Sequence, residues 1–209
     1  MKKLIILSAL GLTLTAGLNT ATAQSTTPRI GIKAGTNYMT LGQLETGGVT
    51  YNYDYRFGFQ GGLTADLPLA SQLSFMPQVL YTQKGGNVKG TVGATTGEIR
   101  TRLNYLDVPL LFGFKPSPEV TLFAGPQVAF LLSQSTDTYV NGAATANSTS
   151  TDGLRKNTIG GNVGIGYNFN SNVSLSGNYV FDFDKAANDN SSQSKAKNSG
   201  FALSLGYSF

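Results

Sequence analysis

The sequence predicts an all-β fold, an eight-stranded antiparallel up-and-down transmembrane β-barrel. Three observations support this prediction. Large apolar residues alternate with small or polar ones, which is the period of a strand with two different faces. Such runs occur about eight times along the chain. The connections between them are alternately long and short, as expected when external loops alternate with short turns on the inner side of a membrane.

The first 23 residues have the features of an export signal. Residues 1–3 (MKK) are basic, residues 4–18 are mostly apolar, and residues 21–23 (ATA) place small side chains before a cleavage point. The apolar stretch is interrupted by Ser and Thr and is shorter than the roughly 20 residues of a spanning helix. We therefore predict a cleaved signal peptide over residues 1–23, a barrel domain over residues 24–209, and an outer-membrane location.

The first four predicted strands are residues 29–39, 57–67, 73–84 and 103–114. In each, large apolar side chains share one face. The other face is rich in Gly, Asn, Gln and Thr in the first two strands and more mixed in the third and fourth. The second four are residues 120–133, 158–169, 173–184 and 201–209. The last of these is the clearest, and we interpret its outward residues as the assembly signal read by the barrel-assembly machinery: Phe201, Leu203, Leu205, Tyr207 and Phe209.

The connections follow a regular scheme. Long polar segments follow strands one, three, five and seven, at residues 40–56, 85–102, 134–157 and 185–198. Short turns follow strands two, four and six, at residues 68–72, 115–119 and 170–172. Three prolines, Pro77, Pro109 and Pro126, fall inside predicted strands, where proline cannot donate to the ladder. We therefore expect β-bulges at these prolines or different strand ends.

Residue size indicates which face points inward. A lumen of eight strands is narrow, so the Gly- and Ser-rich face fits inside and the Phe-, Tyr- and Leu-rich face fits outside. We expect two outer bands of aromatic residues and a polar network in the lumen. Because an unpaired buried ammonium group is costly, we expect Lys33 to pair with Asp66 or Asp107. The predicted lumen network consists of Lys33, Asp66, Gln78, Tyr105, Asp107, Gln127, Asn162 and Asn178.

Composition argues against several kinds of chemistry. The chain has no histidine and no cysteine, so the usual base of small outer-membrane hydrolases and acyltransferases is missing. Asp182 and Asp184 lie two residues apart, and we interpret them as solvated acids. We predict no enzymatic activity, no catalytic residue, no cofactor and no metal site. The net charge of +4 includes two lysines of the export signal, so a nucleic-acid partner is not expected.

Four segments together resemble a known family. They are GIKAGTN (31–37), FGFQGGL (57–63), QVLYTQKG (78–85) and YLDVPLL (105–111). In this order they resemble the outer-membrane β-barrel proteins of Bacteroidetes known as PorT-type or porin family. The resemblance implies an eight-stranded barrel but no single activity, and a few relatives assist protein secretion.

These observations favour a small barrel with a side-chain-filled lumen that acts structurally or through its external loops. Outer-membrane lipids, lipopolysaccharide among them, are the expected partners, together with an unidentified protein or surface ligand of the loops. Two alternatives remain open at this point. One is a narrow pore for ions or small solutes, and the other is an accessory barrel that assists protein secretion, as the resemblance implies.

Overall fold

The computed structural model describes residues 27–46, 49–151, 154–184 and 197–209. The predicted signal peptide therefore lies outside the described residues. Within these ranges no helix is long and apolar enough to cross a membrane. The chain forms strands β1 (Arg29–Thr40), β2 (Gln43–Thr46), β3 (Val49–Asn52), β4 (Arg56–Ala70), β5 (Leu73–Val92), β6 (Thr95–Phe114), β7 (Val120–Val140), β8 (Ala143–Ser148), β9 (Asn157–Asn168), β10 (Val173–Asp182) and β11 (Ser199–Ser208).

Eight of these strands form a closed antiparallel barrel. Their order is β6-β5-β4-β1-β11-β10-β9-β7, and a further pairing of β6 with β7 closes the ring. Each barrel strand thus pairs with its neighbours along the chain, and β1 also pairs with β11. Lys33, for example, lies opposite Gly62 of β4 and Gly206 of β11. The predicted eight-stranded up-and-down barrel is confirmed. We call the end with the short turns the turn end and the other the loop end.

Three barrel strands, β5, β6 and β7, continue beyond the barrel at the loop end. β5 and β6 stay paired as far as Val92 and Thr95, and β7 stays paired with β6 as far as Val140. β8 adds a fourth strand at the side of β7. We call this four-stranded part the external sheet. Residues 85–102 and much of 134–157 were predicted to be loops, and that prediction is wrong. Their polar residues occupy both faces, so no apolar alternation marks them as strands.

The two turns of the external sheet have local signals in the sequence. Gly93 has a φ of 62° between β5 and β6. Asn141 and Gly142, between β7 and β8, have φ values of 50° and 82°. Positive φ at both central residues is what a type I′ hairpin turn requires, and Asn-Gly is its preferred sequence.

The faces of the barrel strands are as predicted. Large apolar side chains point outward and are exposed, whereas polar ones point inward and are buried. Aromatic rings contact each other in two bands on the outer surface. Near the loop end Tyr38 packs on Phe57, and near the turn end Phe75 packs on Phe112. The five aromatic and aliphatic residues of the predicted assembly signal, four in β11 and Phe209 directly after it, are all exposed on the outer side.

The strand prolines cause interruptions of the ladder rather than bulges. Pro77, Pro109 and Pro126 lie at neighbouring positions on β5, β6 and β7. Two residue pairs are missing between β4 and β5, between β5 and β6, and between β6 and β7 near these prolines, with the same register on both sides of each gap. The register shifts lie elsewhere, at Pro68/Ala70, Asn104/Tyr105 and Thr138/Tyr139. A missing N–H removes a hydrogen bond without inserting a residue, so the expected bulges do not form.

Candidate functional site

The loop end of the lumen is covered by an apolar cluster. Leu41, Leu103, Tyr105 and Ala129 are buried together, and Tyr53, Leu131 and Leu154 pack against them. The segment after β1 is held over the opening because the hydroxyl of Thr40 donates to the carbonyl of Tyr53 at 2.7 Å. The N–H of Tyr53 in turn donates to the carbonyl of Gly42 at 2.8 Å. Burial raises the pKa of Tyr53. The lumen is therefore closed by side chains at this end.

Below this cluster lies a buried ion pair. Lys84 Nζ lies 3.1 Å from Asp107 Oδ2, and the two side chains are 0% and 5% exposed. The ammonium group also lies 4.8 Å from the centre of the Tyr105 ring. β5 and β6 bring these groups together because Lys84 and Asp107 point into the lumen from adjacent paired strands. Tyr105 and Asp107 were predicted to belong to the lumen network, whereas Lys84, on the inward face of a predicted strand, was not included in it.

Asp182 is buried, which corrects its interpretation as a solvated acid. Asn198 Nδ2 donates to Asp182 Oδ2 at 2.7 Å, and Thr158 is 3.5 Å from the same oxygen. Asp184, two residues later, is partly exposed and lies 3.9 Å from Arg155. The two acids therefore do not act as a pair. Asn198 precedes β11 and lies 16 residues after Asp182 along the chain, so the strand pattern gave no sign of this contact.

The middle of the lumen holds a chain of amide hydrogen bonds. Asn162 Nδ2 donates to Gln127 Oε1 at 3.1 Å, and Asn178 Nδ2 donates to Asn162 Oδ1 at 3.1 Å. These three residues were predicted to belong to the lumen network, and the structure places them side by side on β7, β9 and β10. A second pair joins Gln60 Nε2 to Ser204 Oγ at 2.9 Å. These bonds tie non-consecutive parts of the chain together across the interior.

Lys33 is buried in the lumen without either predicted partner. Its ammonium group lies 6.0 Å from the centre of the Phe123 ring, and within the described ranges it forms no ion pair. Asp107 is paired with Lys84 instead, and Asp66 with Lys115 at the turn end. The expected pairing of Lys33 is therefore wrong. Asp66 is only partly buried and belongs to the rim of the barrel, not to the network inside it.

Several buried polar atoms in the lumen have no protein partner. Within the part of the chain that the structure describes, the amide oxygen of Gln78, the hydroxyl of Tyr105 and the second oxygen of Asp107 make no hydrogen bond. Gln78 was predicted to be inside the lumen and is buried there. Buried polar groups are normally satisfied by protein or by ordered water. The interior is thus filled by side chains but has polar positions suited to single water molecules.

The external sheet carries a second cluster of charges, on the face continuous with the outside of the barrel. Arg100 donates to both carboxylate oxygens of Glu98, at 2.8 and 3.1 Å, and lies 4.4 Å from the centre of the Tyr139 ring. Arg102 contacts Asp137 at 2.9 Å. The hydrogen bond from Arg100 lowers the pKa of Glu98. This segment was predicted to be a loop, so the sequence pattern offered no reason to expect the cluster.

A closed barrel with an apolar outer surface, two aromatic bands and a polar interior defines a transmembrane β-barrel. The sequence matches a family model described as outer membrane protein beta-barrel domain over residues 22–188, and the chain belongs to this family. The protein resides in the outer membrane, as predicted from the sequence. No curated protein matches the chain significantly.

Three solved structures of bacterial proteins are similar to the chain. Ail, the attachment invasion locus protein of Yersinia pestis in complex with the heparin analogue sucrose octasulfate, is 11% identical with a TM-score of 0.48, and covers 88% of this chain and 100% of that one. Neisserial surface protein A is 14% identical with a TM-score of 0.47 and the same coverage. OprG of Pseudomonas aeruginosa is 13% identical with a TM-score of 0.35, covering 87% of this chain and 94% of that one.

Proposed function

We propose that the protein is a non-enzymatic outer-membrane barrel that acts through its external sheet rather than through its lumen. The main support for this proposal is that side chains close the lumen. Tyr105, Leu103 and Lys84 are almost completely buried inside it, and the apolar cluster at the loop end covers its opening. An interior of eight strands is just wide enough for side chains to fill it, and here buried side chains fill it.

The external sheet offers an edge on one side. β8 ends the nine-stranded sheet, and all six of its residues are exposed. Its sequence, AATANS, has no charge and no proline, the features that commonly protect an edge strand from pairing. The other edge, β5, carries Lys89 and is bridged by Asp54 at Asn87. An extended segment of a partner protein is therefore expected to add to β8 through main-chain hydrogen bonds.

A crosslinking experiment in intact cells tests this function. Ala146→Lys places a charge on the β8 edge and should abolish a crosslink between this protein and an envelope protein. Thr95→Lys, at the tip of the same sheet but away from β8, is the matched control and should retain it. An unchanged crosslinking pattern for Ala146→Lys would rule out the edge as the binding site. Purified, refolded protein should not hydrolyse phospholipid, lipid A or peptide.

A slow passage of ions is a second candidate, supported by the unpartnered polar atoms of Gln78, Tyr105 and Asp107. Water at these positions would connect parts of the lumen. In planar bilayers the wild-type protein should show no solute-sized conductance, because the apolar cluster closes the loop end. Replacing Tyr53 with Ala removes a side chain of that cluster. If ions pass through the lumen at all, this variant should conduct more than the wild type.

A further inference from the structure

The base of the external sheet lies next to the aromatic band at the loop end of the barrel. On the outward face, the row Tyr81–Leu106–Phe130 is followed by the row Gln83–Asn104–Ser133, whose side chains are joined by hydrogen bonds of 3.2 and 2.9 Å. Arg102 and Arg100 follow two and four residues beyond Asn104. A strand rises about 3.3 Å per residue, so both guanidinium groups lie just past the hydrocarbon layer. This level is occupied by the head groups of the outer leaflet.

The charges at this level are arranged with the cations outermost. The side chains of Arg100 and Arg102 are 40% and 39% exposed, whereas their acidic partners Glu98 and Asp137 are 16% and 18% exposed. The acids thus lie beneath the arginines and fix their orientation. Asn147 donates a hydrogen bond of 2.6 Å to the second oxygen of Asp137 and fixes the position of this carboxylate. The guanidinium groups are therefore pre-positioned, with donor atoms left for an external acceptor.

A third arginine adds positive charge that these acids do not neutralise. Arg56 begins β4, and burial together with the nearby guanidinium groups of Arg102 and Arg100 lowers its pKa. One terminal nitrogen of Arg56 and Nε of Arg102 are buried without a hydrogen-bond partner among the described residues. Lys89 lies 3.8 Å from Glu98 at the upper side of the cluster. Arg56 and Lys89 thus add positive charge next to the two pairs formed by Arg100 with Glu98 and by Arg102 with Asp137.

We propose that Arg100 and Arg102 form a binding site for the phosphate group of a phosphorylated glycolipid of the outer leaflet, with Arg56 adding positive charge nearby. Guanidinium groups bind phosphate oxygens through paired, charge-assisted hydrogen bonds. The acyl chains of such a lipid would lie along the apolar surface below, on the side of Tyr81, Leu106 and Phe130. The lipid would thereby hold the external sheet in a fixed orientation. This site does not depend on the binding of a partner protein at β8.

Binding of lipid A to the refolded protein in detergent tests the proposal, with native mass spectrometry as the readout. Phosphorylated lipid A should bind, and the same lipid A without its phosphates should bind at least about tenfold more weakly. Arg100→Gln/Arg102→Gln should weaken the binding of the phosphorylated lipid about tenfold or more, the usual effect of losing a charge-assisted hydrogen bond. Circular dichroism verifies that the variant keeps its barrel.

Three controls test whether the arginines themselves form the site. Lys156→Gln/Lys197→Gln removes two exposed positive charges elsewhere at the loop end and should leave binding within about twofold of wild type. An equal loss in this variant would overturn the proposal, because the net charge of the protein would then be enough to cause binding. Full binding by Arg100→Lys/Arg102→Lys would overturn it too, since a lysine lacks the planar pair of donors. Inorganic phosphate should not compete at a concentration similar to that of the lipid; competition would assign the site to a soluble phosphate.

Discussion

Lys84 and Asp107 form an ion pair inside the barrel, with 3.1 Å between Nζ and Oδ2 and almost no exposure of either side chain. Within the described ranges no other carboxylate forms an ion pair with Lys84. The pair joins β5 to β6 at a level where the apolar cluster excludes solvent from above. Removing either side chain is therefore expected to lower the stability of the barrel strongly, because the other charge would be left buried without a partner.

Asp107→Ala should destabilise the barrel by about 3–5 kcal/mol, because it leaves a buried ammonium group without its partner. The measurement is urea unfolding in detergent micelles, followed by the change in migration between folded and unfolded protein. Lys84→Met/Asp107→Leu replaces both charges with apolar groups and should recover most of the loss. Asp66→Ala, which breaks a partly exposed pair with Lys115, should cost only about 0–1 kcal/mol. Equal effects of the two single variants would contradict this dependence on burial.

Gly164 on β9 lies directly opposite Phe123 on the adjacent strand β7 and provides space for its ring in the lumen. A Cβ atom on Gly164 would lie 2.6 Å from Phe123 Cζ and 2.5 Å from the carbonyl oxygen of Gly177. Gly164→Ala should therefore lower the unfolding midpoint. Adding Phe123→Ala to this variant should remove the clash with the ring but not the clash with the Gly177 carbonyl. Gly177→Ala is the control on a neighbouring strand, since nothing lies within 4 Å of its Cβ position. It should be neutral or stabilise the protein by up to about 1 kcal/mol.

Lys33→Met should raise the stability of the barrel. Lys33 is buried, its ammonium group lies 6.0 Å from the centre of the Phe123 ring, and it forms no ion pair within the described residues. Methionine removes the cost of burying an unpaired ammonium group and keeps much of the side-chain volume. The unfolding midpoint in urea measures the effect, with Lys115→Met at the exposed turn end as the comparison. A lower midpoint for Lys33→Met would mean that the ammonium group has a stabilising partner after all.

Glu98 should remain ionised to a lower pH than an ordinary glutamate. The hydrogen bond from Arg100 lowers its pKa, with the charges of Arg100 and Lys89 acting in the same direction. A lowered pKa in the folded state means that the stabilising contribution of Glu98 is present above its unfolded pKa. That contribution is lost as the pH falls through the folded value. A carbon-detected NMR titration of Glu98 measures the shift, and Arg100→Gln should return the pKa towards the ordinary value. An unchanged titration in Arg100→Gln would contradict this cause.

Periodicity of two was sufficient to predict the eight barrel strands and their faces, because a membrane demands an apolar outside and a narrow lumen demands small or polar residues. The external sheet was missed for the corresponding reason. It lies outside the membrane, so both of its faces can be polar and no alternation remains. The Asn141-Gly142 turn was the local signal that could have revealed it.

Contacts inside the lumen were only partly predictable. The alternation placed Gln127, Asn162 and Asn178 in the interior, but which residues meet depends on the stagger between strands. That stagger arises from the tilt that closes a barrel, and the composition of single strands does not encode it. Lys33 and Asp107 consequently looked like partners, although the stagger places Lys84 beside Asp107.

The three strand prolines make the barrel wall mechanically uneven. Between β4 and β7 the ladder has two missing pairs at each of three successive junctions, whereas the junctions from β9 through β10 and β11 to β1 are continuous. A barrel under strain from bilayer bending or thinning should therefore yield along the proline side while the opposite side stays rigid. The external sheet extends from β5, β6 and β7 on this proline side, so deformation of the membrane would tilt the sheet relative to the rest of the molecule.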